Sequence, residues 1–295
     1  MTGPIVAVIG IGRMGSAMAE RLTDQGVTVV VYNRTPERAA TLAARIGASV
    51  AATPAEAASM ADIVISMVAD DAAVRELYEG PFGVAAGLRP GSVAVDMSTV
   101  LPATIRSVAP AVRARAAGIL DAPVSGSVSS TLSGELAIMV GGDAADLERA
   151  RPVLDCLAKR VFHLGRLGTG AAMKLAVNTV VFGLNEAVAE ALVLAEANGI
   201  DRTLAYDVLA ASAVGAPFVA YKRAAFLEPD ATPVAFALEL AAKDLGLIAN
   251  LAEASGSAMP QAAINLATIQ AAEQSVGEHA DFSMVASHLR QEGRR

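Results

Sequence analysis

The chain has 295 residues, 54% of them hydrophobic and 18% charged, with a mean hydropathy of +0.47 and a formal net charge of −7. That length is enough for two domains with a sizeable core, and much of the apolar content is alanine, which favours helix. An acidic balance without a basic patch argues against nucleic acid, and the lack of any run of about 18 uninterrupted apolar residues argues against a membrane span. A single cysteine, Cys156, leaves no internal disulfide framework and fits a reducing cytoplasm, where the chain is expected to reside. The start has no basic segment followed by a long apolar one, so no signal peptide is expected. The histidines are scattered, no metal is expected, and His163 is expected to be structural.

Residues 5–22 open with the apolar run Ile5-Val6-Ala7-Val8-Ile9, continue through Gly10-Ile11-Gly12-Arg13-Met14-Gly15 and pass into an amphipathic helical pattern. A strand, G-x-G-x-x-G and a helix in that order make a dinucleotide-binding turn. Gly10 allows the tight turn, Gly12 lets backbone approach a pyrophosphate, and Gly15 lets the helix pack close to the strand. The helix N-terminus offers unpaired N–H groups to the phosphates.

Val27–Tyr32 is β-branched and reads as the second strand. An NAD site usually has an acid at its end, whereas this chain has Asn33-Arg34-Thr35. Arg34 can pair with a ribose 2′-phosphate, and Asn33 and Thr35 can hydrogen-bond to it. With Arg13 nearby, the expected cofactor is NADP(H), with NAD(H) possible. Thr35 is also expected to cap the helix begun by Pro36.

Thr53-Pro54-Ala55-Glu56 reads as a capping box, and further strands are expected at residues 63–68, 93–96, 118–121, 136–140 and 160–164. The pattern predicts a Rossmann-type, doubly wound α/β domain over residues 1–164, with strand-end loops lining one cleft. Val68, Ala69 and Thr99 lie in such loops. From residue 165 to 295 the pattern is almost unbroken helix, predicting an all-α second domain with one long helix over residues 171–198. Apolar residues fall on nearly every face of that helix, so it is expected to be buried, either centrally or at a subunit contact in a homodimer or homotetramer.

Lys174 and Asn178 are four apart and share one helix face among alanine, methionine, leucine and valine. A desolvated ammonium releases its proton more readily than in water, which suits acid/base work; the alternative is a lysine whose stem packs while its charge reaches solvent. Lys243-Asp244, on another apolar helix, reads by itself as a solvated pair. Ser125-Gly126-Ser127 reads either as ordinary turn chemistry or as a nest for a carboxylate. Lys222 and residues 212–218 are candidates to close over the cleft, and Arg290, Arg294 and Arg295 are expected to be solvated.

Taken in order, Gly10-x-Gly12-x-x-Gly15, Asp121-Ala122-Pro123-Val124-Ser125-Gly126, Gly168-x-Gly170-x-x-x-Lys174-x-x-x-Asn178 and Lys243-Asp244 resemble the β-hydroxyacid dehydrogenases over nearly the whole chain. The resemblance implies that Lys174 is the catalytic acid/base and that Asn178 helps position it or the substrate. It implies that Ser125, Gly126 and Ser127 hold a substrate carboxylate. Val68, Ala69 and Thr99 would border the cofactor, and Lys243 would contact its nicotinamide end and the substrate. The implied substrate is a small carboxylate-bearing aldehyde or hydroxyacid. Ser127, where many members have glycine, is similar to the glyoxylate/succinic semialdehyde reductase branch, and Val128–Leu132 departs from the small residues usual there. An imine reductase on the same fold and a non-catalytic dinucleotide-binding sensor are the competing readings.

Overall fold

Apolar runs alternating with amphipathic segments build a largely parallel sheet covered on both faces. The computed structural model describes residues 3–293, and its packing separates two units, residues 1–174 and 175–295.

The first unit runs β1 (Ile5–Ile9), α1 (Arg13–Asp24), β2 (Thr28–Tyr32), α2 (Pro36–Ile46), β3 (Ser49–Val50), α3 (Pro54–Met60), β4 (Ile63–Ser66), α4 (Asp71–Glu79) and α5 (Val84–Gly87). It continues through β5 (Val93–Asp96), α6 (Pro102–Arg113), β6 (Gly118–Asp121), β7 (Val124–Ser125), α7 (Val128–Ser133), β8 (Leu136–Gly142), α8 (Ala144–Leu157) and β9 (Ala158–His163), to the opening of α9 (Thr169–Ala197). Strands pair in the order β3-β2-β1-β4-β5-β6, all parallel, and β8 then adds antiparallel to β6. On β8, β7 pairs antiparallel and β9 parallel. The strand order reverses between β1 and β4, which opens a crevice at their carboxyl ends, where ligands bind in such sheets.

Period-two alternation explains why both faces are apolar. Val6, Val8, Val29, Val31, Ile63 and Ile65 enter one core, while Ala7, Ile9, Val30 and Val64 enter the other. The capping box at α3 forms: the Glu56 N–H donates to Thr53 Oγ1 at 3.0 Å, and Glu56 Oε2 accepts from the Ala52 N–H. His163, expected to be structural, has its Nε2 2.8 Å from the Gly142 carbonyl oxygen.

In the second unit the rest of α9 is followed by α10 (Arg202–Ala211), α11 (Pro217–Leu227), α12 (Leu238–Ser255), α13 (Pro260–Val276), a 3₁₀ turn at Phe282–Met284 and α14 (Val285–Glu292). Its core stacks aromatic rings edge-on, with Phe282 centred 6.1 Å from Phe182 and 5.5 Å from Phe236.

Two expectations are corrected by the packing. Lys222 does not reach over a cleft; it is 2% exposed, its Nζ lies 2.6 and 2.8 Å from the two Asp281 carboxylate oxygens, and it sits over the Phe282 ring. Arg290 is not solvated, because it makes a two-pronged bond to Glu196 at 2.9 and 2.6 Å; Arg294 and Arg295 lie outside the described residues. α9, expected to be buried centrally or at a subunit contact, leaves one line of residues exposed on the single chain. Val180 and Leu194 are each 68% exposed, and with exposed Ala187 they recur every seven residues along one line of the helix.

Candidate active site

The glycine loop has the geometry a dinucleotide needs. Gly10 has φ +94°, and a Cβ there would lie 2.2 Å from the Met67 carbonyl oxygen, so no side chain fits where β1 turns beside β4. A Cβ at Gly15 would lie 2.0 Å from the Gly10 carbonyl oxygen, which is why the helix can approach its strand only with glycine there. Nothing stands within 4 Å of a Cβ at Gly12, the open side from which a pyrophosphate would approach. Gly12 is also the N-cap of α1 and supplies no capping side chain, so the first N–H groups of that helix are available to an anion.

A cleft of about 450 Å³ lies beside this loop at the carboxyl ends of β1, β2 and β4. Of the predicted cofactor residues, Gly10, Gly12, Asn33, Arg34, Val68 and Ala69 form part of its wall. Sequence reasoning missed Arg38, a second arginine lining this cleft with Arg34, and Phe82, which lines it too and is 69% exposed. Arg38 could have been found from its place in the first turn of α2, next to the strand end that selects the cofactor.

Several predicted residues make contacts within the loop and the fold itself. The Asn33 carboxamide bridges two backbone strands: its Oδ1 accepts the Ile11 N–H at 2.9 Å and its Nδ2 donates to the Thr35 carbonyl at 3.0 Å. Thr35 occupies the N-cap position of α2, but its side chain makes no capping bond. Met14 faces the core, where its sulfur meets the Thr131 hydroxyl at 3.8 Å. Arg13 is exposed on the first residue of α1, and Thr99 lies beyond β5, outside the cleft wall.

Two carboxylates are buried side by side at the ends of β5 and β6. Asp96, paired in register with Asp121, takes the Ser66 hydroxyl at 2.5 Å and the Ser98 N–H at 3.0 Å. Burial pushes its carboxyl up to about 6 against the pull of those bonds, and the Asp121 charge adds to the push. Asp121 accepts the N–H groups of Gly168 and Ala171, each at 2.7 Å. Lys174, half-buried, stands three residues beyond Ala171 in α9. Just beyond β6, Ser127 caps α7. Its Oγ accepts the Ser130 N–H at 3.2 Å and lies 2.7 Å from Ser129 Oγ, so this hydroxyl is already engaged within the loop.

In the second unit, Asn178 Nδ2 donates to Asp244 Oδ2 at 2.8 Å, and Lys243 Nζ lies 2.9 Å from Asp244 Oδ1. Asn178 is 5% and Asp244 2% exposed, so Lys243-Asp244 is not a solvated pair. Sequence reasoning missed Asp244 as the link between the two predicted residues, because the contact spans 66 positions.

Comparison with known proteins follows the same division. Residues 5–165 match the model of the NAD-binding domain of 6-phosphogluconate dehydrogenase, and residues 168–289 match that for the NAD-binding region of NADP-dependent 3-hydroxyisobutyrate dehydrogenase. The chain is 32% identical to glyoxylate/succinic semialdehyde reductase 2 of Arabidopsis thaliana, across 97% of this chain and 79% of that one. It is 33% identical to the NAD-dependent L-serine dehydrogenase of Pseudomonas aeruginosa, across 95% and 96% respectively. The solved 3-hydroxyisobutyrate dehydrogenase of Salmonella typhimurium superposes with a TM-score of 0.88 at 30% identity, covering 96% of this chain and 99% of that one. Among the described residues no helix is long and apolar enough to cross a membrane. With both of its halves and nearly its full length accounted for, the chain belongs to the β-hydroxyacid dehydrogenases, a family of NAD(P)-dependent oxidoreductases related to 3-hydroxyisobutyrate dehydrogenase.

Proposed function

We propose that the protein interconverts a small carboxylate-bearing aldehyde and its hydroxyacid, prefers NADPH to NADH, and uses Lys174 to give and take the proton. One observation carries the reading. The first turn of α9, which leads directly into Lys174, is tied by Asp121 to the end of β6, and the chain runs on from that strand into Ser125-Gly126-Ser127. A proton donor and a carboxylate-binding loop therefore start from one strand end.

When bound, the reduced nicotinamide supplies hydride to the carbonyl carbon. Lys174, as ammonium, hydrogen-bonds the carbonyl oxygen and protonates the alkoxide as it forms; as a neutral amine it removes the hydroxyl proton in the reverse direction. Asn178, one helical turn further along the same face, orients this group. Its own amide is fixed by Asp244, and Lys243 holds Asp244 in turn. With the Ser127 hydroxyl engaged in capping, the backbone N–H groups of Gly126 and Ser127 and the Ser125 hydroxyl bind the substrate carboxylate. Arg34 and Arg38, with no acid at the end of β2, support recognition of a 2′-phosphate. The small acids named for the relatives, glyoxylate, succinic semialdehyde and L-serine, share the carboxylate this loop would hold.

The exposed line Val180, Ala187 and Leu194 supports a homodimer or homotetramer with α9 in the contact. A monomeric mass in light scattering overturns that part.

The test is NADPH oxidation with glyoxylate, succinic semialdehyde, tartronate semialdehyde and methylmalonate semialdehyde, with a cyclic imine as comparator. Turnover of at least one aldehyde acid, faster with NADPH than with NADH, is expected. Greater activity on the imine assigns the chain to imine reduction, and no oxidation of NADPH by any carbonyl assigns it to binding alone.

A further inference from the structure

Asp121 is 1% exposed, and its carboxylate occupies a cradle made by three glycines. A Cβ at Gly141 would lie 2.5 Å from Asp121 Oδ1, and one at Gly170 would lie 3.0 Å from Asp121 Oδ2 and 2.3 Å from the Met139 carbonyl oxygen. Gly168, at φ +94°, turns the chain so that its N–H meets Oδ1 at 2.7 Å while the Ala171 N–H meets Oδ2 at 2.7 Å. The Gly168-x-Gly170 spacing therefore encloses a carboxylate of the protein itself. α9 begins at Thr169, and its first-turn N–H groups have no partner inside the helix, so a side chain from β6 caps it from outside.

We propose that Asp121 is a positioning residue for Lys174: it fixes the first turn of α9 on the end of β6 and holds a negative charge at that helix end. This rests on the acid/base reading of Lys174. Two effects follow from the geometry. The tie gives the lysine turn and the Ser125–Ser127 loop a common origin, so neither drifts relative to the other. The second effect is electrostatic. An uncapped helix N-terminus carries roughly half a positive charge, which disfavours an ammonium within the next turn. A full buried negative charge there reverses the sign and favours the protonated lysine that reduction needs.

Charged neighbours of this cradle include Asp96, paired in register with Asp121 from β5, and Arg106 of α6, whose Nη1 would stand 2.5 Å from a Cβ at Gly168. Burial pushes the Asp121 carboxyl above its ordinary range, and the N–H bonds from Gly168 and Ala171 pull it back.

Asp121→Asn tests this, because it keeps the shape, loses the charge and turns an N–H donor toward a backbone N–H. With the aldehyde acid that the wild type reduces fastest, kcat should fall about 10- to 100-fold, as for a catalytic group misplaced by about an ångström. KM for NADPH should change less than about twofold, since the glycine loop is untouched. The alkaline limb of the kcat/KM profile should move down by about one pH unit, the scale of a helix-end charge effect. A second readout needs no turnover. The pH dependence of Lys174 acetylation, followed by mass spectrometry of its peptide in the folded protein, should shift in the same direction. If Asp121→Asn does not fold, Asp121→Ser supplies a capping hydroxyl without the charge and should shift the labelling in the same way. Unchanged pH limb and labelling in a folded variant would overturn the proposal. Full activity of Lys174→Ala would instead overturn the lysine reading, and the labelling result would still decide whether Asp121 acts on that amine.

Discussion

The two units hold their buried charges differently. In residues 1–174 the carboxylates at the strand ends are held largely by backbone: Asp121 by two N–H groups, and Asp96 by one together with the Ser66 hydroxyl. In residues 175–295 charged side chains lean more on other side chains, most of them far apart in the chain: Asp281 meets Lys222 besides the N–H groups of Ala235, Phe236 and Ser283, Asp244 meets Asn178, and Glu196 meets Arg290 and the nearby Arg202. Glu186 is the exception in that unit. It is 6% exposed, one of its carboxylate oxygens has no hydrogen-bond partner among the described residues, and burial with the nearby Glu190 charge pushes its carboxyl up to about 8. Backbone-held charges are part of the fold's geometry, whereas side-chain pairs can be removed one partner at a time. The first unit should therefore respond to mutation mainly in chemistry and the second mainly in stability.

The largest expected effect is on the chemistry side. Lys174→Ala should lower kcat by about 10²–10⁴-fold, the range for a lost general acid/base, while the Kd for NADPH in fluorescence titration stays within about twofold. Next in size is the buried pair of the second unit. Lys222→Ala leaves Asp281 buried with its charge unmatched and should cost about 3–5 kcal/mol in denaturant unfolding; a loss below about 1 kcal/mol would mean that the pair contributes no more than a solvated one.

At the cofactor end, Arg34→Ala should weaken NADPH by about 1.5–3 kcal/mol and leave NADH nearly unchanged, since only NADPH carries the 2′-phosphate. Equal losses for both cofactors would remove Arg34 from phosphate recognition.

The smallest effect should come from Glu186→Met. The folded protein holds the Glu186 proton up to about pH 8, whereas the unfolded chain releases it near the ordinary 4.5. Between those values the folded state binds more protons, so this group makes stability fall as pH rises. Removing the carboxyl should raise stability by about 1–3 kcal/mol above pH 8 and by almost nothing below pH 4.5. A pH-independent gain would point to packing rather than charge.

The same contrast explains what could be read from the sequence. The dinucleotide loop was legible because its glycines answer backbone requirements: Gly10 is tight against Met67 and Gly15 against Gly10 itself. The sheet was legible because β-branched runs alternate with helical patterns, and every second residue enters one of two cores. Asn33 lines the cleft as its position suggests, but that its amide also holds the Ile11 and Thr35 backbone is fixed only once β1 and β2 lie side by side. Lys222 and Arg290 were misplaced for a related reason, since their partners lie 59 and 94 residues away. The exposed line on α9 was hidden because alanines and valines surround the whole helix, so no polar face marks the outside. Gly168 and Gly170 were visible as a motif, but their carboxylate arrives from β6 and belongs to no local pattern.

The central claim is that one amine, Lys174, moves the proton. It is tested most directly by adding methylamine to Lys174→Ala during NADPH-dependent reduction of an aldehyde acid. Turnover should be restored in proportion to the methylammonium present and should saturate as the vacated space fills. A variant as active as the wild type without added amine would contradict the claim.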